Sequence, residues 1–207
     1  MPTYKLYYFN SRALAEQSRM IFALAGVEYE DIRYTREEWP AAKESGKFPF
    51  GTVPCLEVDG VMLAQSSAIA CYLGNEFGFS GKNNLEKAKV DMIMDAFGDL
   101  LKVAGKWYFA ADEDAKAAAV EEYNTKTCPA IYGGLEKILV ANNGGDGYYV
   151  GNEVTIADIA FVVTWEMTKM LNPQMLDSYP KQKALKDRVL ALPKIAEWVK
   201  KRPETEH

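Results

Sequence analysis

The amino-acid sequence predicts a small α/β domain followed by an all-helical domain. Strand-like and helical segments alternate up to residue 77, and no strand-like segment follows residue 85. A polar break rich in glycine and asparagine, FGFSGKNN at residues 77–84, separates the two parts. We therefore expect a first domain over residues 1–78, a linker over residues 79–84 and a helical domain over residues 85–207. The chain of 207 residues is long enough to bury two small cores.

The α/β part begins with a strand–helix–strand–helix series. YKLYYF at residues 4–9 is rich in aromatic residues, as strands are. Residues 10–26 have apolar side chains at helical spacing, with a glycine at the C-terminal stop. YEDIRY at residues 29–34 predicts a second strand, parallel to the first because a helix connects them. Residues 37–46 predict one or two helical turns, with Pro40 at the first helical position.

A β-hairpin and a third helix complete the predicted order β-α-β-α-β-β-α. Cys55–Val58 and Val61–Ala64 are short apolar segments on either side of Asp59-Gly60, a dipeptide that hairpin turns favour. A helix is expected from residue 66 to about residue 76.

Pro54 and the Gln65-Ser66 pair could together hold a small acidic peptide. A cis peptide bond at Pro54 would turn the backbone N–H and C=O of Val53 outward, where an extended peptide could pair with them. Gln65 and Ser66 stand at a predicted helix N-terminus, which favours a carboxylate. The alternative is a plain edge proline and an ordinary serine cap, and spacing alone favours this alternative.

The second domain is predicted to contain only helices. Residues 85–111 and 114–141 predict two long helices, the second kinked or interrupted at Pro129. A loop follows at residues 142–147, and two shorter helices that each open with a proline, Pro180 or Pro193, end the chain.

One helix start in this domain is specific. Thr155 and Asp158 match a capping box, and Val154 and Ile159 stand at the two positions of a hydrophobic staple.

Composition argues against several classes of function. The net charge is −5 and the one basic cluster is VKKRP near the end, so the basic face that nucleic acid requires is not expected. No run of 18 apolar residues and no signal-peptide pattern occur, so we expect neither a membrane span nor secretion. Three widely spaced cysteines, Cys55, Cys71 and Cys128, suit free thiols in a reducing compartment such as the cytoplasm.

The histidine content restricts the chemistry. His207, the last residue, is the only histidine, so histidine-based triads and histidine-ligated zinc sites are not expected. An enzyme with this composition would use tyrosine, aspartate, glutamate, lysine or arginine, and 12 tyrosines are present.

The chain resembles the glutathione S-transferases, and specifically their sigma class, over essentially its whole length. The resemblance is carried by YKLYYFNSR, EEWPAAK, VPCLEVDG, LAQSSAIACYL, EFGFSGKNN, GGDGYYVGNEVTIAD and LPKIAEWVKKRP. It implies a thioredoxin-like domain that binds glutathione as co-substrate and a helical bundle domain that forms the pocket for a small hydrophobic electrophile. It also implies a homodimer.

The resemblance implies a role for particular residues. Tyr8 matches the catalytic tyrosine. The residues that match the family's glutathione site are Phe9, Trp39, Lys43, Val53, Pro54, Gln65, Ser66 and Asp99, and those near the second-substrate pocket are Arg12, Leu14 and Trp107. By this likeness, Trp39 and Lys43 hold the glycine end of glutathione and the backbone of Val53 pairs with its cysteinyl unit. Gln65 and Ser66 hold the γ-glutamyl carboxylate, and Asp99 reaches the γ-glutamyl amine in the partner's site.

The sequence departs from the family pattern in three places. Leu14 stands where many sigma members have an arginine beside the catalytic tyrosine, and Arg12 is a candidate substitute. Two extra residues lie between Lys43 and Phe50, which predicts a reshaped loop. Gly98 replaces one acid of the metal cluster found in prostaglandin D synthases of the class, so we expect no metal even though Asp95 and Asp99 are present.

Structural interpretations of the same residues compete with the functional ones. Tyr8 alternates with Leu6 and Tyr4 on one strand face and alone predicts a core residue. Trp39 before a proline is typical of a packing anchor, and acidic residues four apart, Asp91, Asp95 and Asp99, are typical of a solvated helix face. Cys55 and Cys71 would be packed thiols. The absence of C-x-x-C after the first strand argues against dithiol exchange.

Two classes of function follow. One is an enzyme that conjugates glutathione to electrophiles, with prostaglandin H to D isomerisation as a variant. The other is a non-catalytic relative such as the S-crystallins, which carry an extended insertion in the helical half. Residues 105–125 show no such insertion, and we take this to favour the enzyme.

Overall fold

The structure is a computed structural model that describes residues 2–205. Its contacts divide into two units, residues 2–77 with residues 193–205, and residues 78–192. The break predicted near residue 78 thus coincides with a boundary between units. Residues 193–205, which we expected in the helical domain, group instead with the first unit. His207 lies outside the described residues.

The first unit is built on a four-stranded mixed sheet. Its strands are β1 (Tyr4–Phe9), β2 (Glu30–Tyr34), β3 (Cys55–Val58) and β4 (Val61–Ala64), and its helices up to the boundary are α1 (Glu16–Ala25), α2 (Trp39–Glu44) and α3 (Ser66–Phe77). The strand order is β2-β1-β3-β4, with β1 parallel to β2 and the other two pairings antiparallel. The predicted order β-α-β-α-β-β-α is confirmed.

Strand β1 buries side chains on both faces of this sheet. Tyr4, Leu6 and Tyr8 alternate on one face, where the ring of Tyr4 packs edge-on against Phe22 of α1 at 5.3 Å between centroids. Tyr7 points to the other face and packs against Phe48 at 5.7 Å. Neighbouring tyrosines of one strand therefore have different surroundings.

The second unit is helical, as predicted. Its helices are α4 (Asn84–Tyr108), α5 (Glu113–Glu122), α6 (Cys128–Ala141), α7 (Ile156–Thr168) and α8 (Pro180–Leu190). The helix expected over residues 114–141 is interrupted by a π-helical turn at Tyr123–Thr127. Pro129 follows this turn and has no N–H for a bond to the carbonyl of Thr125, so the wider turn lies where the proline weakens the helix.

The predicted capping box at the start of α7 is present. The carboxylate of Asp158 accepts hydrogen bonds from the backbone N–H and the hydroxyl of Thr155, at 2.8 and 2.9 Å, and from the N–H of Tyr149 at 2.9 Å. Burial raises the pKa of Asp158 to about 6, against these hydrogen bonds, which lower it. No helix within residues 2–205 is long and apolar enough to cross a membrane.

Helix α9 (Pro193–Lys201) belongs to the first unit because it packs on α1. Trp198 Nε1 and Arg202 Nη1 each donate a hydrogen bond to Glu16 Oε1 at 2.9 Å. Glu16 is only 1% exposed, and a buried carboxylate requires such partners. Sequence periodicity could not indicate this contact, because it joins residues from opposite ends of the chain.

Candidate active site

Tyr8 lies near the end of β1 with its side chain almost completely buried. Its hydroxyl oxygen accepts a hydrogen bond from the backbone N–H of Leu14 at 3.4 Å. Leu14 belongs to the short 3-10 turn that precedes α1, so the connection between strand and helix holds the tyrosine hydroxyl. A hydroxyl that accepts one hydrogen bond can also donate one, so Tyr8 can act as a donor to an anion.

Arg19 of α1 lies beside the Tyr8 ring and was not singled out by the sequence analysis. Its guanidinium carbon is 6.0 Å from the centroid of the Tyr8 ring, and the side chain is fully buried. Its Nη1 donates to the carbonyl of Ser11 at 2.6 Å, and its Nε lies 3.1 Å from a carboxylate oxygen of Asp31. Arg19 thus ties the turn after β1 to the strand β2. A charged residue on the apolar face of a predicted helix was the signal that could have revealed it.

Trp39 and Lys43 lie four residues apart on α2 and therefore share one face of the helix. The Trp39 ring packs edge-on against Phe9 at 5.5 Å between centroids and in a tilted arrangement against Phe48 at 5.3 Å. It is a packing anchor as the structural interpretation expected, but it remains partly accessible. Lys43 is exposed, and within the described chain its ammonium forms no ion pair.

The peptide bond between Val53 and Pro54 is cis, as the resemblance implied. Pro54 is buried and Val53 partly exposed at the entrance to the hairpin. Within residues 2–205, neither the N–H nor the C=O of Val53 makes a hydrogen bond to another residue. This backbone is available to an extended peptide.

Gln65 and Ser66 form the junction between β4 and α3. Gln65 has a φ of +75°, a left-handed conformation that non-glycine residues rarely adopt and that often occurs at functional sites. Its carbonyl accepts the hydrogen bond from Ile69 N at 2.9 Å, and Ser66 is the first residue of the helix. The first turn of α3 has no acidic residue. The N–H groups there present positive potential without a competing carboxylate.

Leu14 and Arg12, the two residues weighed as neighbours of the tyrosine in the sequence, differ in what they contact. Leu14 supplies its backbone N–H, and its aliphatic side chain carries no charge. Arg12 directs Nη2 to the backbone carbonyl of Thr205 at 3.2 Å. Its proposed role as a substitute for the missing arginine stays a prediction.

Asp99 and Trp107 lie on α4, in the second unit. Asp99 is exposed and pairs with Lys102 at 2.8 Å, and this hydrogen bond raises the pKa of Lys102. Trp107 lines an open cleft of about 600 Å³, together with residues of α5 and the π-helical turn: Glu113, Lys116, Ala117, Val120, Glu121 and Asn124.

The cysteines and the acidic residues are the other side chains that could ligate a metal ion. Cys55, Cys71 and Cys128 are free thiols, and burial raises the pKa of Cys55 to about 11, as expected for a packed thiol. In the part of the chain that the structure describes, no three His, Cys, Asp or Glu residues lie together as metal ligands would.

Comparison with known proteins identifies the family of this chain. A model of the glutathione S-transferase N-terminal domain matches residues 2–75, and one of the C-terminal domain matches residues 98–202. The chain belongs to the glutathione S-transferase family.

Individual relatives agree with the sigma-class resemblance. The chain is 40% identical over 205 residues to hematopoietic prostaglandin D synthase of Gallus gallus, with 99% of each chain covered. It is 40% identical over 206 residues to S-crystallin SL11 of Nototodarus sloanii, again with 99% of each covered. Its structure is similar to that of monomeric Na-GST-3, a glutathione S-transferase of the hookworm Necator americanus, with a TM-score of 0.89, 36% identity and coverage of 99% and 100%.

The match to S-crystallin SL11 bears on the expectation that crystallin-like relatives carry an extended insertion in the helical half. Because 99% of that protein aligns with 99% of this chain over 206 residues, it has no long insertion. The absence of an insertion therefore does not distinguish a transferase from a crystallin-like relative, and the distinction rests on the site residues.

Proposed function

We propose that this protein transfers the thiolate of glutathione to hydrophobic electrophiles, with the hydroxyl of Tyr8 stabilising the thiolate. The observation that carries the proposal is the position of that hydroxyl. It is buried at the junction of β1 and α1 and held by the N–H of Leu14, so that it can donate its own hydrogen to sulfur.

The energetics of thiol activation suit a tyrosine donor. A thiol with a pKa of about 8.5 is only about 3% ionised at pH 7. Lowering this pKa by about 2 units requires about 2.7 kcal/mol of preferential stabilisation of the anion. Hydrogen bonds to charged groups contribute about 1.5–3 kcal/mol, so one buried hydroxyl supplies much of what is needed. Tyr8 acts here as a hydrogen-bond donor and not as a base.

Three parts of the first unit would hold the glutathione peptide. Trp39 and Lys43 receive the glycine end, where the lysine ammonium faces the carboxylate. The unpaired backbone of Val53 pairs with the cysteinyl unit as an added strand. Gln65, Ser66 and the N-terminus of α3 receive the γ-glutamyl carboxylate. The free Val53 backbone and the acid-free first turn of α3 support this orientation.

The site is completed by a second subunit in this proposal. Asp99 is well exposed on α4, and by resemblance it reaches the γ-glutamyl amine bound to the partner. Because a related structure is described as monomeric, the oligomeric state is a real test of the proposal. We also propose a cytoplasmic location, which the three free thiols support and which cell fractionation would check.

Prostaglandin H to D isomerisation is the second candidate activity. The 40% identity to a protein named hematopoietic prostaglandin D synthase supports it. Trp107 and its cleft on α4 and α5 are one wall at which the second substrate could be selected.

Turnover of chlorodinitrobenzene with and without glutathione is the primary test. Glutathione-dependent product formation supports the transferase, and its loss in Tyr8→Phe assigns the activation to this hydroxyl. Isomerisation of prostaglandin H in a parallel assay would add the second activity. A folded protein that binds glutathione but turns over neither substrate would support a crystallin-like role instead.

A further inference from the structure

Lys47, in the segment between α2 and Pro54, belongs to a cluster of charged and polar groups outside the site described above. Lys47 donates a hydrogen bond to the hydroxyl of Tyr7 and forms an ion pair with Glu57 at 2.9 Å. The Tyr7 hydroxyl in turn donates to Glu57 Oε2 at 2.8 Å. Lys47 therefore ties the loop at residues 45–52 to strands β1 and β3. The sequence predicts that two extra residues between Lys43 and Phe50 reshape this loop.

The same loop contacts the side chains proposed to hold the glycine end of glutathione. Phe48 is buried against the ring of Trp39, with 5.3 Å between centroids. Gly51 lies against the stem of Lys43, where a methyl group added to the glycine would be 3.3 Å from Lys43 Cε. A shift of residues 45–52 would thus move the supports of both side chains proposed to hold the glycine end.

We propose that Lys47 is a positioning residue that fixes this loop and thereby sets the preference of the site for glutathione over peptides that lack the glycine. The inference rests on the proposed function of the same site. The ammonium of Lys47 is held by the hydrogen bond to Tyr7 and the ion pair with Glu57, so it does not itself contact the peptide. Lys47 acts by fixing the loop that contacts Trp39 and Lys43.

Charge and exposure are consistent with this arrangement. The hydrogen bond from Lys47 is the main reason that the pKa of Glu57 lies below its usual value, so the pair is charged at neutral pH. The Lys47 side chain is 40% exposed and that of Glu57 is 20% exposed. Such a pair contributes little to overall stability, but it joins a loop to a sheet and limits where that loop can lie.

The test compares the binding of glutathione and of γ-glutamylcysteine by isothermal calorimetry. The variants are Lys47→Met, which keeps the aliphatic stem, and Lys47→Arg, which keeps the charge. Lys5→Met is the matched control, because Lys5 forms a half-exposed ion pair with Glu30 at 3.1 Å in the same sheet. Thermal unfolding of each variant is measured alongside.

We expect Lys47→Met to lose about fivefold to tenfold in affinity for glutathione and less than twofold for γ-glutamylcysteine, with at least partial recovery in Lys47→Arg. Lys5→Met should bind both peptides as the wild type does. Equal losses for both peptides, or no loss for either, would overturn the proposal. A wild-type protein that binds neither peptide would refute the proposed function and this inference with it. That outcome is recognised in the wild type, before any substitution is made.

Discussion

Tyr7 and Tyr8 are neighbours on β1, both nearly buried, and the sheet directs them to opposite sides. The hydroxyl of Tyr7 meets two charged side chains, Lys47 and Glu57. The hydroxyl of Tyr8 meets a backbone N–H, that of Leu14. The same side chain in the same strand is therefore a structural clamp on one face and a candidate catalytic donor on the other. The difference lies in the partners that each face supplies.

Replacing Tyr8 by phenylalanine should have the largest effect on chemistry. It removes one hydroxyl and keeps the ring, so the fold should survive. If the hydrogen bond to the thiolate contributes about 1.5–3 kcal/mol, the pKa of bound glutathione should rise by about 1–2 units and the rate at pH 7 should fall about tenfold or more. The thiolate absorbance of bound glutathione against pH measures this. An unchanged titration would show that Tyr8 is not the activating group.

A positive charge near Tyr8 should change the pKa of the bound thiol. Leu14→Arg keeps the backbone N–H that donates a hydrogen bond to the Tyr8 hydroxyl, and it adds a positive charge. The pKa of the bound thiol should therefore fall by about 0.5–1 unit. Arg12→Ala tests whether Arg12 already supplies such a charge, and a rise in the thiol pKa would show that it does. The same titration applies to both. If Leu14→Arg raises the thiol pKa, a missing positive charge is not what distinguishes this site.

The substitution Asp99→Ala tests whether the glutathione site near Tyr8 needs a residue from a second subunit. Loss of a charged contact at the edge of a site, about 1 kcal/mol, predicts about fivefold weaker glutathione binding without unfolding. Asp95→Ala, one helical turn away on the same exposed side of α4, is the matched control. Sedimentation at micromolar concentration gives the oligomeric state. A monomer that binds glutathione with normal affinity would contradict the cross-subunit role.

Replacing Tyr7 by phenylalanine should give the smallest effect and one of a different kind. The free energy of unfolding should fall by about 1 kcal/mol because two hydrogen bonds are lost while the Lys47–Glu57 pair is kept. Glutathione affinity should fall about threefold, and the pKa of the bound thiol should stay where it is. Chemical denaturation and the thiolate titration check the two parts. A thiol pKa that shifts as far as in Tyr8→Phe would show that the two tyrosines do not have separate roles.

Local patterns in the sequence were sufficient for the element order and for several helix boundaries. The aromatic strand at residues 4–9, the hairpin around Asp59-Gly60 and the capping box of Thr155 and Asp158 each depend on residues close together in the chain. Resemblance to a family identified Tyr8 and the peptide-holding residues, whose functional roles stay predictions. Periodicity alone would have assigned Tyr8 to the core, and its burial agrees with that as well.

Only the tertiary structure decided which distant residues meet. Helix α9 joins the first unit because Glu16 is buried and takes its partners from Trp198 and Arg202. The packing of α1 on one face of the sheet places Arg19 beside the Tyr8 ring. The packing of the loop on the other face places Lys47 against Tyr7. Such contacts depend on the positions of elements in space and not on the spacing of residues along the chain. The sequence therefore determines the elements and their order, whereas the hydroxyl partners that separate Tyr7 from Tyr8 exist only once those elements have packed.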